Sequence, residues 1–193
     1  MLGQLPTTLK INGKDYKIRS DYRNILRIFV ALNSDELSDE EKTYVFLKRM
    51  YVDFPTIPKK DIEAAYEAAF AFIENNEHGS HKRQPRLVDW EKDEPLVFAA
   101  INKVAGKEIR AVEYLHWWTF LGYFQCIDRE DTWGAVLTIR QKRARHKKLE
   151  KYESEFFNAN REMCELESST SRKKEADDFA KQLQRELLQG GEQ

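Results

Sequence analysis

Tyr114-Leu115-His116-Trp117-Trp118-Thr119-Phe120-Leu121-Gly122-Tyr123-Phe124-Gln125-Cys126-Ile127 is the most apolar stretch of the chain, and its reading decides the fold. At about 14 residues it falls short of the roughly 20 apolar residues that a membrane helix needs, and it carries His116 and Gln125. It therefore reads as part of a buried, central helix over about residues 110–127, apolar nearly all round and packed on several neighbours. Leu115, His116, Trp117, Trp118 and Phe120 belong to the core on this reading. Adjacent tryptophans point about 100° apart on a helix, so at most one of the pair is left to face a partner. His116, between Leu115 and Trp117, reads as a core histidine satisfied by a neighbouring polar group, because no nucleophile stands beside it.

On the N-terminal side of this segment, Asp89-Trp90-Glu91-Lys92-Asp93-Glu94-Pro95 begins another helix, closed by Gly106 in a left-handed conformation. Proline belongs in a first turn, so either residues 89–94 form a separate turn or the helix proper begins near Asp93. The acids there read as favourable charges at a helix start rather than as a carboxylate pair. Earlier still, Asn12-Gly13 between short apolar runs predicts a tight hairpin. Ser20 or Asp21 then caps a helix with Tyr22, Ile25, Leu26 and Phe29 at helical spacing. Ser38 with Glu41 three residues on predicts a capping box. Pro55 and Pro58 bracket a break before a helix bearing Ile62, Ala65, Tyr66, Ala69, Phe70 and Ile73.

On the C-terminal side, Asp131 or Thr132 starts a helix with Trp133, Val136, Leu137 and Ile139 at core spacing. The chain then turns basic: residues 140–151 hold seven Lys or Arg against the single acid Glu150. A solvated helix end or a dock for an acidic partner fits this run better than a nucleic-acid site, because no aromatic platform interleaves it and the chain's net charge is only −1. The architecture expected is mainly α: a small N-terminal hairpin with helices (1–76), a polar loop (77–86), a helical core (87–152) and an extended amphipathic segment (153–193). From about residue 167 the chain is too sparse in apolar residues to fold alone, although residues 176–188 carry Phe179, Leu183, Leu187 and Leu188 at helical spacing.

Chemistry finds little purchase. No glycine-rich phosphate loop or Gly-x-Ser-x-Gly elbow is present, and His78 and His81 have no acidic or sulfur companions at ligand spacing, so neither a cofactor nor a metal is expected. Two cysteines point to a reducing compartment. Cys126 reads as a small core residue and Cys164 as an exposed one. With 41% hydrophobic residues the chain has ample material for a core, and its N-terminus has no basic leader followed by an apolar stretch.

Leu115-His116-Trp117-Trp118 with Phe120, then Glu130-Asp131-Thr132-Trp133 and Leu137-Thr138-Ile139-Arg140, resembles the gene-product-fifteen family of tailed bacteriophages, encoded beside the tape-measure protein. The resemblance is strongest over residues 87–152 and covers the N-terminal half only in its layout. Where members often have Gly-Ile-Asp-Leu, this chain has Gly106-Lys107-Glu108-Ile109. It implies a non-enzymatic tail assembly chaperone in the host cytoplasm, absent from the finished particle, with the tape-measure and tail-tube proteins as partners and a second copy of itself as a further candidate. Membrane is not expected as a partner, and nucleic acid is disfavoured. Apolar contacts are expected from Tyr152, Phe156, Phe157, Phe179 and Leu183, and electrostatic orientation from Arg140, Lys142, Arg143 and Arg145. On that reading the core folds without residues 153–193. The alternatives are a minor tail or adaptor protein retained in the virion and a small nucleic-acid-binding regulator.

Overall fold

The computed structural model describes residues 3–75 and 85–166. Strands β1 (Thr8–Ile11) and β2 (Lys14–Lys17) form an antiparallel hairpin with Leu9 opposite Tyr16. Asn12 and Gly13 both take positive φ, 45° and 88°, as a two-residue type I′ turn requires. Helix α1 (Tyr22–Leu32) starts at Asp21, whose carboxylate accepts the Arg23 N–H at 2.9 Å. Helix α2 (Asp39–Met50) carries the full capping box between Ser38 and Glu41. Accepting the Ser38 backbone N–H holds the Glu41 carboxyl below its ordinary range. Two short 3-10 turns at Phe54–Thr56 and Lys59–Asp61 absorb the prolines and lead into α3 (Ile62–Glu74). Ala65 and Ala69 let α3 approach α2 closely enough for the Tyr51 hydroxyl to donate to the Ala65 carbonyl at 2.7 Å.

The second half opens with a turn at residues 90–93, after which α4 (Glu94–Ala105) has Pro95 in its first turn and ends at Gly106 (φ 66°). The helix proper thus begins at the proline, as the first-turn rule demands. Helix α5 (Trp117–Gln125) is shorter than the period suggests. Residues 112–116 are not helical, because this stretch pairs with residues 20–22. The Leu115 carbonyl accepts the Tyr22 N–H, the Trp117 N–H donates to the Ser20 carbonyl at 2.7 Å, and Asp21 and His116 form an isolated antiparallel bridge. Backbone groups held in that bridge are unavailable to a helix, so α5 starts only where His116 caps it. Nor is α5 buried all round: Trp117 and Phe120 are, while Trp118, Leu121, Tyr123 and Phe124 are half-covered and Cys126 is exposed.

Helix α6 (Thr132–Ala144) packs on α4, and α7 (Lys151–Ala159) with α8 (Arg161–Cys164) folds back onto α6. The first part of the segment read as an extended, amphipathic, partly flexible C-terminal stretch is therefore folded onto the core, burying Phe157 and Cys164. Cys126 and Cys164 exchange the roles read for them, since α5 ends at Gln125 and α8 lies against α6. A single cluster of buried side chains runs through both halves. Tyr22 of α1 stacks on Phe120 of α5 with ring centroids 4.7 Å apart, and Phe29 of α1 stacks on Trp90. Among the described residues no helix is long and apolar enough to cross a membrane. His78 and His81 lie outside the described residues, as do Phe179 and Leu183.

Candidate partner-docking surface

The Leu-His-Trp-Trp segment is occupied internally. His116 Nδ1 accepts the Trp118 backbone N–H at 3.0 Å, and its Nε2 lies 2.9 Å from the Pro6 carbonyl oxygen, to which it donates in the neutral tautomer. One ring thus caps α5 and ties down the chain leading into the hairpin. Both indoles reach the same helix end: Trp117 Nε1 donates to the Ile73 carbonyl and Trp118 Nε1 to that of Phe72, each at 2.8 Å. Those carbonyls belong to the last turn of α3, where helical N–H donors run out; that of Phe72 also accepts the Asn75 N–H at 3.2 Å. Leu115, Phe120 and Trp133 are buried with them, and the Trp133 indole N–H has no acceptor among the described residues.

The basic run divides into an inner and an outer set. Arg140 is 4% exposed and grips Asp93 through two bonds of 2.5 and 2.8 Å. It also donates to the carbonyls of Leu87, Met163 and Cys164. It is not available as an electrostatic orienter, because all of its donors face into the fold, and Asp93 is a buried counter-ion rather than a simple helix-start acid. Asp89 is buried beside it, accepting from Arg86 at 2.8 Å while its own N–H donates to Asp93. Lys142 is held by the buried Glu153 through contacts of 2.6 and 2.7 Å. Burial works to raise the Glu153 carboxyl, but the Lys142 ammonium and the Glu150 N–H outweigh it, and the group sits below its ordinary range. Arg143 lies over the Phe157 ring at 4.3 Å and 3.8 Å from Glu165. Arg145, Lys147 and Lys148 form the outer set, exposed and without an ion pair among the described residues.

Beside that outer set, a groove of about 430 Å³ runs along α6 from the end of α5. Phe124, Ile127, Trp133 and Leu137 give it an apolar floor; Arg129, Arg145 and Lys147 stand on its rim. Gly134 brings the wall close, since a Cβ there would sit 2.1 Å from the Asp128 carbonyl oxygen. Of the other expected contact residues, Tyr152 is 69% exposed, Phe156 is half-covered and Phe157 is buried. The groove residues left no mark in the sequence beyond the period of α6, because the loop at 127–131 that completes it has no regular pattern.

A family model described as Bacteriophage Gp15 protein matches residues 1–166. The chain belongs to the bacteriophage Gp15 family. No match was found among curated proteins or solved structures. Family membership takes in the N-terminal hairpin and α1–α3, beyond the span over which the motifs are strongest, and it extends through α7 and α8. The Leu-His-Trp-Trp residues also act on that half: they hold the end of α3 and the segment at 20–22. In this Gp15-family chain the Cys164 thiol is pushed up by burial, and no group of three or more His, Cys, Asp or Glu is placed to hold a metal among the described residues.

Proposed function

We propose that this Gp15-family protein is a non-enzymatic assembly chaperone of phage tails that binds the tape-measure protein and helps to recruit tail-tube subunits. The observation that carries the reading is the groove along α6, apolar on its floor and cationic on its rim, in a chain of a bacteriophage family. A long helix-rich chain such as a tape measure exposes apolar helix faces before assembly, and helix-in-groove docking covers such a face without any chemistry. Tyr152 and Phe156 offer further apolar contact at the edge of α7. Arg143, Arg145 and Lys147 orient the approach of an acidic face, a contribution that salt weakens. The protein acts in the host cytoplasm and leaves before the particle is complete.

The test is co-expression with the phage tape-measure protein, followed by affinity capture and a solubility assay at low and high salt. Capture with rescued solubility is expected, lost when Arg145→Glu and Lys147→Glu are combined. Failure of capture, with the protein found by mass spectrometry in purified virions, would overturn this reading in favour of a retained adaptor.

A further inference from the structure

We infer that the groove along α6 selects a partner helix whose apolar stripe, about three turns long, is closed by a carboxylate at each end. This rests on the reading of the groove as a partner's dock and adds the chemistry of what enters it. The rim charge is not spread along the groove. Arg129 enters beside Gly134, its Cα 2.7 Å from where a Cβ at Gly134 would lie, whereas Arg145 and Lys147 stand at the C-terminal end of α6. Between them the wall offers Thr138 and Gln141, which are neutral, and Lys142, whose ammonium is taken up by Glu153 at 2.6 Å. No acid lines the groove among the described residues. The result is an apolar floor with free cations at its two ends and none along its middle.

Length converts this pattern into a sequence requirement. From Gly134 to Arg145 the groove follows α6 for about 16 Å. On a helix lying along it, side chains at the first, fifth, eighth and twelfth positions share one face and span that same length. Carboxylates at the first and twelfth positions then meet the two cationic ends, and apolar residues between them cover Phe124, Ile127, Trp133 and Leu137. A carboxylate in the middle of the stripe would instead be stripped of water over an apolar floor with no free cation beside it. The Gly134 end is short of acceptors twice over: Arg129 is exposed without an ion pair, and the buried Trp133 indole N–H has no acceptor, among the described residues. Net negative charge alone does not admit a helix to this groove; the placement of the charge does.

Fluorescence anisotropy of two labelled synthetic peptides on the full chain tests this. Each is a helix former of about 14 residues, alanine and glutamine apart from two glutamates and three leucines. In one, glutamates hold the first and twelfth positions and leucines the fourth, fifth and eighth. In the other, glutamates hold the fourth and eighth and leucines the first, fifth and twelfth, so composition and net charge are equal. The first is expected to bind at least tenfold more tightly, and that preference to vanish in the combined Arg129→Ala, Arg145→Ala and Lys147→Ala variant. Equal affinity of the two peptides would overturn the proposal, as would failure of both to bind. So would a preference that survives in the triple variant, which places the peptide elsewhere, or binding that weakens as the chain is concentrated, which gives the groove to a second copy. Capture of the tape-measure protein without any peptide preference refutes this proposal alone, whereas peptide preference without capture refutes the chaperone reading alone.

Discussion

Arg140 and Asp93 face each other with side chains only 3% and 2% exposed, so neither charge has water to fall back on. Removing one partner strands the other: Arg140→Met is expected to cost about 3–5 kcal/mol in urea unfolding. Adding Asp93→Asn to that variant removes the stranded charge and keeps an acceptor for the Asp89 N–H. The double variant is expected to be more stable than Arg140→Met alone, and a less stable one would show that the ion pair is not the dominant contact. Gly134 sets two effects against each other. Helix propensity favours alanine there by about 1 kcal/mol. The added Cβ, however, would lie 2.1 Å from the Asp128 carbonyl and 2.7 Å from Arg129 Cα, both backbone atoms. Overpacking of this kind costs about 1–3 kcal/mol, so Gly134→Ala is expected to lower the unfolding midpoint rather than raise it.

Elements here are joined by side chains more than by loops, which decides where the chain tolerates cutting. Helices α7 and α8 supply Glu153 to Lys142 and the carbonyls of Met163 and Cys164 to Arg140. Deleting residues 153–193 is therefore expected to lower the unfolding midpoint sharply, whereas deleting 167–193 leaves cooperative unfolding in place; circular dichroism melts distinguish the two. The same link titrates. Glu153 is lowered in the fold, so its contribution is complete above the ordinary carboxylate value of about 4.3 and is lost as pH falls through its lower folded value. Acid melts are expected to show this loss in the wild type and to flatten in Glu153→Gln.

Local signals announced most of these elements. Asn12-Gly13, the Ser38–Glu41 box, and Pro95 with Gly106 each satisfy a backbone requirement within a few residues, and each stands where it was expected. The start of α5 was hidden, because residues 112–116 are governed by residues 20–22, far away in the chain. Arg140 was misread for a related reason. Seven cations within twelve residues look alike in sequence, and only the acids brought from the start of α4 and from α7 separate the inner ones from the outer. The groove shared that obscurity, since Ile127 and Arg129 reach it from a loop.

For the whole molecule, one buried cluster runs unbroken from the first half into the second. Tyr22 needs Phe120, and the last turn of α3 needs Trp117 and Trp118. Residues 1–75 and 85–166 made as separate chains are expected to show little cooperative melting alone and to regain it when mixed. Independent folding of either fragment would contradict this dependence. The paired indoles also set a timetable for synthesis. A ribosome releases the chain from its N-terminus at about 5–20 residues per second, so several seconds separate the emergence of α3 from that of the tryptophans that finish it. Throughout that interval the nascent N-terminal half displays Tyr22 and Phe72 without the rings that cover them in the finished fold, and is itself in need of shelter.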